Sequence, residues 1–213
     1  MSTLTTAPVK PLLATLFADA RRTQERFRLQ RADLLAQGHR PGSPEFAAAT
    51  RQAHLAVTPE TGQLLYLLTR TAKARTVVEF GTSFGVSTLH LAAALRDNGT
   101  GTLITTELEP TKAAATRATL AEAGLADLVE ILEGDARQTL PQRRPRPIDL
   151  LFLDGANHLY VEVLRLLEPD LAPGALVVAD NAGAPGYRDY LATQDRYVSV
   201  SVGERVEVTV VAD

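Results

Sequence analysis

The 213-residue chain has no cysteine and no tryptophan, and its one methionine is Met1. Without cysteine, disulfides and thiolate metal sites are excluded outright. No stretch reaches the roughly 18 unbroken apolar residues that a membrane span needs. Met1 to Lys10 lacks the apolar centre of a signal peptide. Arg21-Arg22 is followed by polar Thr23-Gln24-Glu25, so it is not a twin-arginine signal. The net charge of -3 provides no global attraction for nucleic acid or anionic lipid. A cytoplasmic protein is expected, with no membrane and no nucleic-acid partner. What is present is ordinary for a globular chain: 45% hydrophobic and 22% charged residues. A chain this long buries about 70% of its unfolded surface as one domain, so 1–213 is read as a single domain.

Its organisation changes near residue 57. Residues Pro11 to Gln37 carry apolar positions at helical spacing, Leu12, Leu16, Phe27 and Leu34 among them. Gly38 and Pro41-Gly42 break the run. Ser43-Pro44-Glu45 has the form of a helix start, and a short helix is expected from Phe46 to about His54. Thr58-Pro59-Glu60 repeats the signal and opens a helix towards Ala74. The arginines of the first helix, Arg21, Arg22, Arg26, Arg28 and Arg31, interleave with Asp19, Glu25 and Asp33. They read as a solvated face. Residues 1–56 thus form a helical extension on a core of 57–213.

Within that core, short apolar runs alternate with helical segments. The runs are Thr76–Phe80, Leu103–Thr106, Val129–Leu132, Ile148–Leu153 and Ala175–Ala179. Several are apolar on consecutive residues, as strands buried on both faces of a parallel sheet are. Helices are expected at Ser87–Arg96, Pro110–Ala123, Ala136–Leu140 and Leu159–Leu171. The alternation implies βαβ units and a doubly wound α/β fold. Tyr197–Val202 and Val206–Val211 alternate with period two around Gly203-Glu204-Arg205, which reads as a terminal antiparallel hairpin. The basic stretch Arg143 to Pro147 reads as a solvated loop before a strand.

Open α/β sheets bind ligands beyond the carboxyl ends of their strands. The first strand ends in Glu79-Phe80-Gly81-Thr82-Ser83-Phe84-Gly85. A dinucleotide fingerprint starting at Gly81 would need glycines where Ser83 and Val86 stand, which disfavours a dehydrogenase. Glu79, Glu107, Asp135, Asp154 and Asp180 all fall at or just past strand ends. Such an acidic rim repels phosphates. It suits S-adenosylmethionine, which has a sulfonium, an ammonium and no phosphate. Glu107, 26 residues after Gly81, stands near the usual offset for an acid that holds ribose hydroxyls; its plain alternative is a surface acid.

Five segments in order carry a resemblance. They are Val78-Glu79-Phe80-Gly81-Thr82-Ser83-Phe84-Gly85-Val86-Ser87-Thr88, Thr105-Thr106-Glu107, Glu133-Gly134-Asp135-Ala136, Phe152-Leu153-Asp154 and Val178-Ala179-Asp180-Asn181. With Thr58-Pro59-Glu60-Thr61-Gly62-Gln63 before them, the chain resembles the catechol-type class I O-methyltransferases from about Val57 onward. The resemblance implies a seven-stranded Rossmann-like fold with an antiparallel last strand. It implies that Glu79, Gly81, Ser83 and Ser87 line the methionine part of S-adenosylmethionine and that Glu107 holds the ribose. Asp135, Ala136 and Arg137 would flank the adenine, Val57 would close the pocket, and Asp154 would border the cofactor. A divalent cation such as Mg²⁺ would bind Asp154, Asp180 and Asn181, whose hard oxygens suit it.

One departure concerns the base. The family commonly has a lysine three residues after the first metal aspartate, where this chain has Asn157. An amide cannot take a proton at neutral pH. His158 is adjacent and histidine is the side-chain type best suited to proton transfer near neutral pH, although a neighbouring helical position points about 100° away. Asp154, Asn157 and His158 are therefore the candidate catalytic residues. The loop after Asn181, Ala182 to Gly186, is short, so the acceptor pocket must draw on other elements. The N-terminal helices with His54 and Leu55 are candidates, and they could equally form a homodimer interface. The acceptor is expected to be a small hydroxylated, aromatic molecule. The alternatives are an N- or C-methyltransferase of the same fold with the metal site unused, and a non-catalytic cofactor-binding protein.

Overall fold

The computed structural model describes residues 2–143, 146–183 and 186–212. The N-terminal helices are α1 (Val9–Ala36), α2 (Pro44–Ala49) and α3 (Pro59–Thr71). Then β1 (Thr76–Phe80), α4 (Val86–Asn98), β2 (Thr102–Glu107), α5 (Pro110–Glu122), β3 (Val129–Glu133), α6 (Ala136–Arg143) and β4 (Ile148–Leu153) alternate along the chain. After them come α7 (Tyr160–Leu167), β5 (Leu171–Ala179), α8 (Tyr187–Ala192), β6 (Tyr197–Val202) and β7 (Val206–Val211). The expected starts of α2 and α3 are both capped, Ser43 accepting from Phe46 N and Thr58 from Thr61 N.

The strands form one seven-stranded sheet in the order β3-β2-β1-β4-β5-β7-β6. The first five are parallel, and β7 inserts antiparallel between β5 and β6. Alternate strand residues face opposite sides, which divides the core into two. Val77, Leu103, Leu150, Phe152 and Val178 pack with α1, α3 and α4 on one face. Val78, Ile104, Leu151, Leu153 and Val177 pack with α6, α7 and α8 on the other. The strand order reverses between β1 and β4, and the crevice above that switch point is where such sheets bind ligands.

The N-terminal residues are clamped to the core. Val9, Leu13 and Leu16 of α1 are buried. Thr3 N and Tyr66 OH both donate to the Asp97 carboxylate, at 3.0 and 2.6 Å for Oδ2. Beyond Phe17 the helix stands off the core: Leu29 and Leu35 are exposed. Its arginines are solvated as expected, Arg22 pairing with Asp19 and Arg28 with Glu25.

Several boundaries differ from the sequence expectation: β5 begins at Leu171 rather than Ala175 and α6 runs to Arg143 rather than Leu140, and two helix ends differ for visible reasons. The last core helix was expected to reach Leu171, but α7 stops at Leu167 and Leu171 begins β5. Pro169 is the cause, since proline has no N–H to continue the helical ladder and its ring clashes with the carbonyl four residues back; Glu168–Asp170 form a 3-10 turn instead. The helix expected to run to His54 ends at Ala49. There the Thr50 hydroxyl bonds back to Phe46 O at 2.8 Å, and His54 N reaches across to Thr23 Oγ1 at 3.2 Å. In the basic stretch, Arg143 pairs with Glu130 and Arg146 with Asp170; Arg144 and Pro145 lie outside the described residues, as do Ala184 and Pro185 of the loop after Asn181. Among the described residues no helix is long and apolar enough to cross a membrane.

Candidate active site

The loop between β1 and α4 requires glycine. Gly81 has φ +97°, and a Cβ there would come within 2.8 Å of the Gly155 backbone. The ends of β1 and β4 therefore touch directly at the switch point. Gly85 takes φ +85° as the N-cap of α4. Ser83 adopts φ +49°, uncommon for a residue with a side chain. It is held there by Glu107, whose Oε2 accepts from Ser83 N at 2.8 Å, and by Thr116, whose hydroxyl donates to Ser83 O at 2.8 Å. Glu107 Oε1 accepts from Glu109 N at 3.0 Å. Burial pushes the Glu107 carboxyl up, with Lys112 and the two backbone amides opposing.

Glu79 lies beneath this loop, fully buried, rather than on an open rim. Its Oε2 accepts from Thr88 and Thr105 hydroxyls, both at 2.6 Å, while Oε1 has no partner. Burial raises its pKa. The Ser83 hydroxyl is also buried without a partner. Ser87 is buried on α4, and Val57 is buried just before α3. After β3, Asp135 accepts from Arg137 N at 2.9 Å and from its guanidinium at 2.6 Å. That hydrogen bond holds the Asp135 carboxyl below the usual range. Ala136 is buried at the start of α6.

Asp154 and Asp180 follow β4 and β5. Asp154 N donates to Phe80 O at 2.9 Å and Asp180 N to Leu153 O at 3.0 Å, so each loop is tied to the strand beside it. Burial drives the Asp154 carboxyl well above its ordinary value, and the charges of Asp180 and Glu79 add to this. Asp180 is 1% exposed. Its Oδ2 accepts from Arg205 Nη2 at 2.9 Å, and its Oδ1 has no partner. Asn181 has φ +54° and an exposed side chain, and its carbonyl accepts from Asn157 Nδ2 at 3.0 Å. Tyr160 OH donates to Asp180 O at 2.8 Å from below. His158 is exposed, and its ring lies beside Gly42 of the N-terminal extension.

Sequence reading singled out the acids but not what holds them. Phe84 stacks on His54, with ring centroids 3.8 Å apart and planes 3° from parallel. Lys112 Nζ lies 5.6 Å from the Phe84 centroid, and burial depresses its pKa against the pull of Glu107 and Glu109. The extension thus rests on the glycine loop itself. Arg205 comes from the β6–β7 turn, a place whose sequence signals only a hairpin. A cavity of about 460 Å³ lies between α1 and α2, bordered by Arg26, Phe27 and Arg51. None of the strand-end acids lines it.

Residues 78–182 match the family described as Methyltransferase domain. A catechol O-methyltransferase of Niastella koreensis is 37% identical over 130 residues, which is 60% of this chain and 58% of that relative. The O-methyltransferase TomG from Streptomyces achromogenes, involved in tomaymycin synthesis and solved in complex with SAM, superposes with a TM-score of 0.67 at 30% identity, covering 75% of this chain and 83% of TomG. The fold extends further: cofactor-bound Rv0187 from MTB matches 99% of this chain and 94% of its own, with a TM-score of 0.74 at 24% identity. Together with the glycine loop and the acids at the switch point, these likenesses mean that the chain belongs to the class I S-adenosylmethionine-dependent O-methyltransferase family. It spans 58% of the length of the catechol O-methyltransferase it matches.

Proposed function

We propose that this protein transfers a methyl group from S-adenosylmethionine to a hydroxyl of a small, catechol-like or other aromatic acceptor, with a divalent cation at Asp154, Asp180 and Asn181. The observation that carries the proposal is the pair of acids at the ends of β4 and β5, with Asp180 Oδ1 buried and unpartnered. A buried carboxylate oxygen without a partner is costly, and a cation would satisfy it. The donors are hard oxygens, as Mg²⁺ prefers. Among the described residues no three His, Cys, Asp or Glu side chains group to hold a metal, so the third protein ligand would be the Asn181 amide oxygen. The donor set fits such an ion.

When bound, S-adenosylmethionine would supply the activated methyl and the cation would lower the pKa of the acceptor hydroxyl. The chain's own residues do the rest. Glu107 keeps lone pairs for ribose hydroxyls while gripping Ser83 N. The unpartnered Ser83 Oγ and Glu79 Oε1 are a donor and an acceptor for the methionine end, beside Gly81 and Ser87. Asp135, Ala136 and Arg137 would flank the adenine, and Val57 would close the pocket. Asn157 positions the Asn181 loop through its bond to the Asn181 carbonyl and would orient the acceptor. It cannot act as a base, so the acceptor proton would leave to solvent, with exposed His158 assisting at most. The solvent-facing half of α1 and α2 would form a homodimer interface or cover the acceptor.

Calorimetry with S-adenosylmethionine, and NAD as control, tests the cofactor. Turnover on a panel of catechols with and without EDTA tests the metal. Activity is expected to vanish in EDTA. The Arg205–Asp180 pair favours one second reading, a same-fold N- or C-methyltransferase that uses no metal. Full turnover in EDTA would select it.

A further inference from the structure

We propose that Arg205 is a tethered cation that competes with the divalent metal for Asp180 and so sets the protein's affinity for that metal. The inference rests on the metal reading above. Its observation is the ion pair itself: Arg205 Nη2 lies 2.9 Å from Asp180 Oδ2, on an aspartate that is 1% exposed. Asp180 cannot turn to water for other partners, whereas the Arg205 side chain is 49% exposed and can swing out. The backbone keeps the guanidinium in reach. Ala182 N donates to Arg205 O at 2.9 Å, which fastens the β6–β7 turn to the loop that follows Asp180.

A metal arriving at the free Oδ1 would meet a like charge on the neighbouring oxygen, within a distance at which Coulomb repulsion is substantial. Either the guanidinium leaves or the metal binds weakly. Arginine keeps its charge at any pH a protein tolerates, so this competition does not relax with pH. It is relaxed by removing the charge. The pair already satisfies one of the two Asp180 oxygens.

The test is Mn²⁺ binding to the full chain, read from the electron paramagnetic resonance signal of free Mn²⁺. Arg205→Gln keeps a hydrogen-bond donor for Asp180 but removes the charge, and it is expected to tighten Mn²⁺ binding by about tenfold or more. Arg205→Lys keeps a charge without the planar fork and should fall between the two. Asp180→Asn should abolish binding in the wild-type and Arg205→Gln backgrounds alike. Equal or weaker Mn²⁺ affinity in Arg205→Gln, with Asp180→Asn still abolishing it, overturns the role of Arg205 and leaves the metal site standing. No Mn²⁺ binding by either protein overturns both.

Discussion

Both oxygens of Glu107 already accept backbone amides, Ser83 N at 2.8 Å and Glu109 N at 3.0 Å. The side chain therefore shapes the glycine loop as well as offering lone pairs to a ligand. Glu107→Ala should weaken S-adenosylmethionine binding by about 1.5–3 kcal/mol, the range for hydrogen bonds to a charged group. An unchanged dissociation constant in calorimetry would take Glu107 out of the cofactor site. His158 is exposed and lies against Gly42, a poor place for an essential base. His158→Ala is expected to lower turnover less than about tenfold, where loss of a general base costs 10²–10⁴-fold; a thousandfold drop with intact cofactor affinity would make it the base. The acids were legible in the sequence because each stands at or just past the end of a strand-like run, a place that sequence can mark; the burial of Glu79 beneath the loop was not. Arg205 and Phe84 were not. Their partners, Asp180 and His54, are distant in sequence, and only the pairing of β7 with β5 and the return of the extension over α4 bring them together.

Among the elements, β1, β4, β6 and β7 were read to the residue, the first two as mostly apolar runs and the last two as alternating ones, each bounded by polar or turn residues. The end of α7 was misread because helical periodicity continued past Pro169, which stops a helix for reasons of backbone chemistry. The contact between the β1 and β4 ends makes a sharp test. Gly81→Ala would force a Cβ at φ +97° to within 2.8 Å of the Gly155 backbone. Neither backbone can yield cheaply, so a loss of about 1–3 kcal/mol in denaturant unfolding is expected, with weaker cofactor binding. Stability equal to wild type would mean that the loop re-forms elsewhere. Helix α4 offers a second test through His90, 3% exposed and bonded to Val86 O at 2.7 Å, with its ring filling the space over Gly62. Burial holds its pKa below the ordinary 6.5. The unfolded chain therefore takes up a proton at a higher pH than the folded one. His90 costs no stability above about pH 6.5 and destabilises the fold progressively as pH falls below that value. The Tm of wild type relative to His90→Leu should drop between about pH 7 and pH 5; parallel curves would show that His90 does not titrate in that window.

At the scale of the molecule, the N-terminal extension was legible as helices but not as a clamp. Val9, Leu13 and Leu16 are buried against the core, and each apolar side chain of this size contributes about 1.5–3 kcal/mol. Asp97 adds its bonds to Thr3 and Tyr66, and His54 stacks on the glycine loop. A chain beginning at Val57 should therefore aggregate or melt well below the full protein, and bind S-adenosylmethionine poorly even where it folds. A soluble truncation with unchanged cofactor affinity would reduce the extension to an appendage. The placement of β7 has a consequence for synthesis. It follows the other six strands in sequence, yet it fills the gap between β5 and β6, and β6 joins the sheet only through it. While the chain is being made, β5 has a bare edge and β6 has no place to dock. The Arg205 charge that reaches Asp180 emerges just ahead of that strand. Until Val206–Val211 is free to pair, the sheet lacks its last two strands and Asp180 lacks the Arg205 charge, a half-built sheet suited to chaperone capture rather than to ligand binding.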